Sequence, residues 1–149
     1  MDRSSHANAE DDLAIRALVA RYCHAITERD DTAWANTWSA DGEWCVLGHS
    51  VRGREDILAH YQRIVSGFRW VLQVAANGLL EIAGDEARGR WLISETLQAN
   101  DGRPVLNIGS YHDRYRRDPD GAWRFARREF RGSYMGPPDL SGTPRPPVR

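Results

Sequence analysis

The stretch RWVLQVAANGLLEIAGDEARGRWLISETLQANDGRPVLNIGSYHDRYRRDPDGAWRFARREF, residues 69–130, decides the fold. Three turn signals divide it: Gly84-Asp85, Asp101-Gly102 and Asp118-Pro119-Asp120-Gly121. Turn residues of this kind between apolar, β-branched and aromatic runs mark hairpin ends. They predict four long strands, over residues 69–83, 86–100, 103–117 and 122–134, joined as an antiparallel meander. Each is far longer than the usual ~5–6 residues. Strands of that length must bend, and Gly78, Gly89 and Gly109 stand mid-strand where a bend is tolerated.

Upstream the period changes. Ile15, Leu18, Val19, Tyr22 and Ile26 recur at helical spacing and predict a helix over residues 10–27. Asp30 is an N-cap for a short second helix carrying Trp34 and Trp38 one turn apart. Residues 43–48 read as a short strand. Gly53 opens a turn into a third helix, with Ile57, Tyr61 and Ile64 as its stripe and Gly67 just past its end. Helices followed by strands give the α+β class. Residues 1–9 are polar and expected to fray, residues 10–134 form one domain, and residues 135–149 are a Pro/Gly-rich tail expected to be extended or disordered, or to lie across a neighbour.

Composition narrows the function. The 149 residues suit one domain. With 20 basic and 21 acidic residues the net charge is −1, which argues against a nucleic-acid partner. No apolar run is long enough for a membrane span, and no apolar block follows the polar start as in a secretory signal, so a cytoplasmic protein is expected. Every one of the 20 basic residues is Arg; without lysine, Schiff-base chemistry and a pyridoxal-lysine site are excluded. Cys23 and Cys45 lie in apolar stretches and read as free thiols. His6, His24, His49, His60 and His112 show no paired metal-ligand spacing, and there is no CxxC, so no metal is expected.

The order of elements, with several local motifs, resembles the SnoaL-like branch of the nuclear-transport-factor-2-like superfamily. The motifs are Ile15-Arg16-Ala17-Leu18 leading to Arg21-Tyr22, Asp30 through Trp38, Ala40-Asp41-Gly42-Glu43-Trp44, Val51-Arg52-Gly53-Arg54, Gly109-Ser110-Tyr111-His112-Asp113 and Trp123-Arg124-Phe125-Ala126-Arg127-Arg128. That superfamily also holds ketosteroid isomerase, scytalone dehydratase, a dehydrochlorinase and the small subunits of ring-hydroxylating dioxygenases. The resemblance implies a cone: three N-terminal helices packed on a strongly bent antiparallel sheet, with a pocket inside. It implies no cofactor. Carried over residue by residue, the dehydratase-like Asp falls on Thr27 and its partner His on Gln73, with Asn77 kept. Neither Thr nor Gln takes up a proton at neutral pH. The isomerase-like Tyr is kept as Tyr22, the base position falls on Leu47, and the oxyanion Asp falls on Tyr111, still a donor.

Turn geometry predicts which side chains share a face. Two-residue turns at 84–85 and 101–102 and a four-residue turn at 118–121 put Gln73, Ala75, Asn77, Ser94, Thr96, Asn107, Gly109, Tyr111, Asp113 and Arg128 on one side. Trp70, Leu72, Val74, Trp91, Ile93, Leu97, Leu106, Ile108, Trp123 and Phe125 fall on the other. The resemblance turns the mixed face toward the pocket and leaves the apolar face for a second subunit, so a homodimer through Trp70, Trp91, Ile93 and Ile108 is expected. Glu95 then lies outside, in an interface ion pair.

Two readings of function stand. One is a cofactor-independent lyase or isomerase acting by proton transfer on a small hydrophobic ring compound. Tyr22 and Tyr111 then stabilise an enolate and Asp113 moves the proton, unless Asp113 is only the structural partner of Arg128. Thr27, Trp44, Leu47, Gln73, Asn77, Asn107 and Arg128 are the expected pocket residues. The other reading is a non-catalytic small-molecule-binding or dioxygenase small-subunit-like domain.

Overall fold

A computed structural model describes residues 3–145. Helices α1 (Arg3–Glu28) and α2 (Asp31–Asn36) come first, then strands β1 (Trp38–Val46) and β2 (His49–Arg52), then α3 (Arg54–Val65). Four long strands follow: β3 (Phe68–Ala83), β4 (Glu86–Ala99), β5 (Pro104–Arg117) and β6 (Trp123–Gly136). They form one six-stranded sheet in the order β2-β1-β6-β5-β4-β3. The meander from β3 to β6 is antiparallel.

Several sequence expectations need correction. The sheet is mixed, because β1 pairs in parallel with β6. Residues 43–48 are not an isolated strand but the end of β1 and its turn into β2. Leu47 and Gly48 have φ of 51° and 76°, as a two-residue type I′ hairpin requires. Trp38 opens β1, because α2 stops at Asn36 with Thr37 as its C-cap. Residues 3–9 continue α1 instead of fraying, while residues 1–2 lie outside the described part. The tail is not simply extended. Residues 135–136 finish β6, and Tyr134 Oη donates to Pro137 O at 2.6 Å and accepts from Gly142 N at 3.1 Å. Residues 146–149 lie outside the described part.

Packing follows from the apolar stripes. Ile15, Leu18, Val19, Tyr22 and Ile26 of α1 are buried against the sheet, with Ile57 and Tyr61 of α3 beside them. Asp30 Oδ1 accepts from Ala33 N at 2.9 Å and so caps α2, a contact worth about 1 kcal/mol. Asp11 ties α1 to the far side of the sheet: Arg117 Nη2 and Trp123 Nε1 donate to it at 2.7 and 3.0 Å. Trp34, Trp38, Trp44, Tyr22, Tyr61 and Phe125 form one aromatic cluster, with Trp34 stacked on Tyr61 at 4.1 Å between centroids.

Register sets the inner wall, and it differs from the expected one. Ala83 pairs with Glu86 across a two-residue turn, as predicted. The next two loops each differ from expectation by one residue, in opposite senses: the two-residue turn expected at 101–102 is one residue longer, and the four-residue turn expected at 118–121 is one residue shorter. Ala99 N bonds Arg103 O at 2.9 Å, and Asp118 N bonds Ala122 O at 2.9 Å, so residues 100–102 and 119–121 are three-residue loops. Each ends in a glycine at positive φ, 89° for Gly102 and 83° for Gly121, the three-residue geometry that carries a bulge. A one-residue shift exchanges the faces of a strand. Trp91, Ile93, Leu97, Trp123 and Phe125 therefore face the helices and are buried, while Ser94 and Thr96 face outward and are exposed. A second irregularity at Asn77 (φ 54°) and Gly78 lets Val71 and Gln73 point inward although Leu80 and Ile82 also do. Gly78 is needed there, because a Cβ would run into the Trp91 ring.

Candidate functional site

Between the sheet and the helices lies a cavity of about 120 Å³. Tyr22 and Ile26 line it from α1, and Tyr61 and Ile64 from α3. Trp44, Val46 and Leu47 come from the β1–β2 hairpin. Gln73, Glu95, Asn107, Tyr111, Phe130 and Met135 come from the four long strands, every one of which contributes to the lining. The lining is mainly apolar, with two polar groupings.

The first grouping is a phenol pair. Trp44 Nε1 donates to Tyr111 Oη at 3.2 Å, and the Tyr111 and Tyr22 hydroxyls lie 3.4 Å apart. One phenolic proton serves the bond between the two oxygens. The other has no protein acceptor and is left for a ligand. Burial pushes the Tyr111 phenol up to about 12, with Arg128 opposing and Glu95 adding to the rise. Burial raises Tyr22 well above its ordinary value too. Both are therefore donors at neutral pH.

The second grouping is a polar row across three strands. Gln73 of β3 stands opposite Glu95 of β4, which stands opposite Asn107 of β5. Gln73 Nε2 and Asn107 Nδ2 each donate to one Glu95 carboxylate oxygen, the latter at 3.1 Å. Cys23 Sγ completes the row by donating to Gln73 Oε1 at 3.4 Å. Burial holds that thiol near 11, so it keeps its proton. Glu95 has no ion-pair partner among the described residues. Burial raises its carboxyl above the ordinary range, and the two amide donors and the more distant Arg128 only partly offset this. A carboxylate inside a protein without a cation is costly, and such groups concentrate at functional sites.

Beneath the phenols sits a buried ion pair. Arg128 Nε and Nη2 donate to Asp113 at 2.9 and 3.1 Å, and Tyr115 Oη donates to the same carboxylate at 2.7 Å. Trp91 Nε1 in turn donates to Tyr115 Oη at 2.8 Å. Burial pushes Asp113 up and Arg128 holds it down; with three donors on it, the ionised form is the one the geometry fits. Asp113 does not line the cavity, and its oxygens are already occupied, so it is not placed to carry a proton.

Of the residues singled out from sequence, Tyr22, Trp44, Leu47, Gln73, Asn107 and Tyr111 meet in the cavity. Asp113 and Arg128 lie under it. Thr27 is outside, in a groove between α1 and β3, where its Oγ1 accepts from Gln73 N at 3.4 Å. Asn77 is exposed at the bulge. The helix closing the cavity beside α1 is α3. Glu95, expected on the outer face in an ion pair, lines the cavity instead. Reading the loop at Asp101-Gly102 as three residues long, together with the irregularity at Asn77-Gly78, would have turned it inward beside Gln73 and Asn107.

Several comparisons bear on identity. A protein of unknown function from Mycobacterium tuberculosis is 32% identical, with a TM-score of 0.74, over 82% of this chain and 76% of that one. A hexachlorocyclohexane dehydrochlorinase from Novosphingobium barchaimii shares the fold at a TM-score of 0.81 and 23% identity, over 95% and 97% of the two chains. A protein described as a scytalone dehydratase, from Novosphingobium aromaticivorans, does so at 0.83 and 20%, over 97% of both chains. No curated protein matches. The SnoaL-like domain model matches residues 7–129, nearly the whole of the helices and sheet just described, and the chain thus belongs to the SnoaL-like family of the nuclear-transport-factor-2-like superfamily.

Proposed function

We propose that the protein is a cofactor-independent lyase or isomerase that moves a proton on a small, largely apolar ring compound, with Glu95 as the proton carrier. One observation carries this reading: an unpaired carboxylate and an uncommitted phenolic proton share one apolar cavity. Ionised Glu95 takes a proton from the carbon beside a ring carbonyl and becomes a carboxylic acid. The C–H electron pair moves into an enolate, whose oxygen accepts from the Tyr22–Tyr111 pair. The acid then returns the proton to a different ring carbon, as in an isomerase, or to a departing hydroxyl, as in a dehydratase. Raising a carboxyl by burial brings its basicity toward what such abstraction needs. A donor aimed at the developing oxyanion is worth about 2.7–4 kcal/mol. In this reading the bent sheet is the wall of a cone closed by α1 and α3.

The outer face still carries exposed Trp70, Leu72 and Val74, and a homodimer covering them remains part of the proposal. Trp91 and Ile93 do not belong to it, being buried within the chain. A second reading, a non-catalytic binding or dioxygenase small-subunit-like domain, is favoured by Thr27 and Gln73 standing at the positions where the resemblance puts an Asp and a His. Conversion of cyclohex-3-enone to its conjugated isomer, followed by absorbance and by deuterium uptake beside the carbonyl, separates the two. The proposal expects turnover that Glu95→Gln removes. Ketone binding without any turnover above buffer overturns it in favour of the second reading.

A further inference from the structure

Arg128 is completely buried, yet the proton transfer proposed above does not use it. Its guanidinium carbon lies 3.8 Å from the centroid of the Tyr111 ring, 4.3 Å from that of Tyr22 and 4.1 Å from that of Phe125. Asp113 takes the Nε and Nη2 edge, and Nη1 has no partner. The carboxylate thus sits on the edge of the guanidinium while its faces are left to the aromatic rings. Asp113 is itself held in place by Tyr115, which leans on Trp91. No cation lines the cavity itself.

A buried cation against the face of a phenol ring is attracted to its π-density, and in a low-dielectric site its field acts strongly on charge at the phenol oxygen. That field favours negative charge at or beside Tyr111 Oη and makes the O–H a better donor. Resting on the reading of the cavity as a proton-transfer site, we propose that Arg128 is a positioning residue. Acting through the rings of Tyr22 and Tyr111, it sets the phenol pair to stabilise an oxyanion and makes the cavity select the anionic form of a single-ring phenol or enol. Asp113 tempers the same field from the guanidinium edge. The other titratable groups around the pair are Glu95 from β4, Cys23 from α1, Tyr61 from α3, and Asp113 and Tyr115 from β5. None of these is a cation, so Arg128 is the positive member of the set.

The test uses 4-nitrophenol, whose absorbance separates the bound phenol from the bound phenolate without any turnover. Titrating the bound probe in wild type and in the neutral pair Arg128→Met/Asp113→Asn is expected to show the ionised fraction at fixed pH falling about tenfold in the double variant. Asp113→Asn alone is expected to move it the opposite way, because the guanidinium then acts untempered; a purely structural pair gives no such change of sign. Circular dichroism confirms that each variant is folded, and if Asp113→Asn alone does not fold, wild type against the double variant decides. An equal ionised fraction in those two folded proteins overturns the proposal, as does failure of the wild type to bind 4-nitrophenol. A probe shift that holds while cyclohex-3-enone stays unconverted removes Glu95 as proton carrier and keeps Arg128 as the selector of anionic ligands. Conversion without a probe shift does the reverse.

Discussion

Replacing Glu95 by Gln should cost activity and leave the fold intact or firmer. The side chain keeps its length and its place opposite Gln73 and Asn107. What it loses is the charge, which accepts from only two neutral amides and no cation. General acid–base catalysis contributes about 10²–10⁴ in rate, or about 2.7–5.5 kcal/mol of barrier. The variant should fall by that factor in cyclohex-3-enone isomerisation. Stability moves the other way. The folded Glu95 carboxyl is raised above its unfolded value. The folded state therefore holds the proton longer, and stability declines as pH rises from about 4.3, the unfolded value, through the folded one, by up to about 1.4 kcal/mol per pH unit in that window. Glu95→Gln lacks this decline, so its melting temperature should match wild type in acid and exceed it at neutral pH. Parallel melting curves across the window, with initial rates on the same samples, check both arms. A variant that melts lower at neutral pH and turns over at the wild-type rate would refute the reasoning, since Glu95 would then be structural.

Tyr111→Phe should lower the rate about 10²–10³-fold by removing one oxyanion donor. It also leaves Trp44 Nε1 without its acceptor at 3.2 Å, so a drop in stability of about 1–3 kcal/mol should accompany it in urea titrations. Asp113→Asn should lose about 3–5 kcal/mol of stability because Arg128 is left buried and unpaired, and the neutral double variant should recover most of that. The pH–rate profile should rise with one carboxyl group displaced above the ordinary carboxylate range and show no imidazole step, because no histidine lines the cavity. Gly78→Ala should destabilise by about 1–3 kcal/mol as the new methyl group forces the Trp91 ring aside, read as a lower denaturation midpoint.

The helices and strands were legible because their periods are strong. The stripe from Ile15 to Ile26 and the turn at Gly84-Asp85 need only local physics, and both stand where the sequence puts them. The wall of the cavity was less legible because it depends on parity. At Asp101-Gly102 and at Asp118 to Gly121 the deciding feature is one residue of loop length, and the cue is a glycine at the last loop position. Missing it, and with it the bulge at Asn77-Gly78, reversed β4 and sent Glu95 outward and Trp91 with it. On β6 a bulge between Phe125 and Arg127 turns Arg128 inward although Trp123 and Phe125 also face in, so its expected side was right and theirs was not. The Asp113–Arg128 pairing was visible from shared facing alone. Its position below the cavity instead of in it was not, because depth along a strand depends on which aromatic rings fill the space above.

The row of Gln73, Glu95 and Asn107 has a consequence for how such sites diverge. The resemblance puts a relative's base at Gln73, on β3, and here the ionisable group stands one rung position sideways, on β4. Adjacent strands lie about 4.8 Å apart. A catalytic group can therefore hop laterally by one strand, keep the same height in the enclosure and face the same ring, while its number in the chain jumps by the length of a hairpin. Alignment column by column registers such a hop as the loss of a residue. On the reading proposed for Glu95, following the ladder across the sheet registers it as a transfer, with the Gln73 amide left beside the acid as its hydrogen-bond donor.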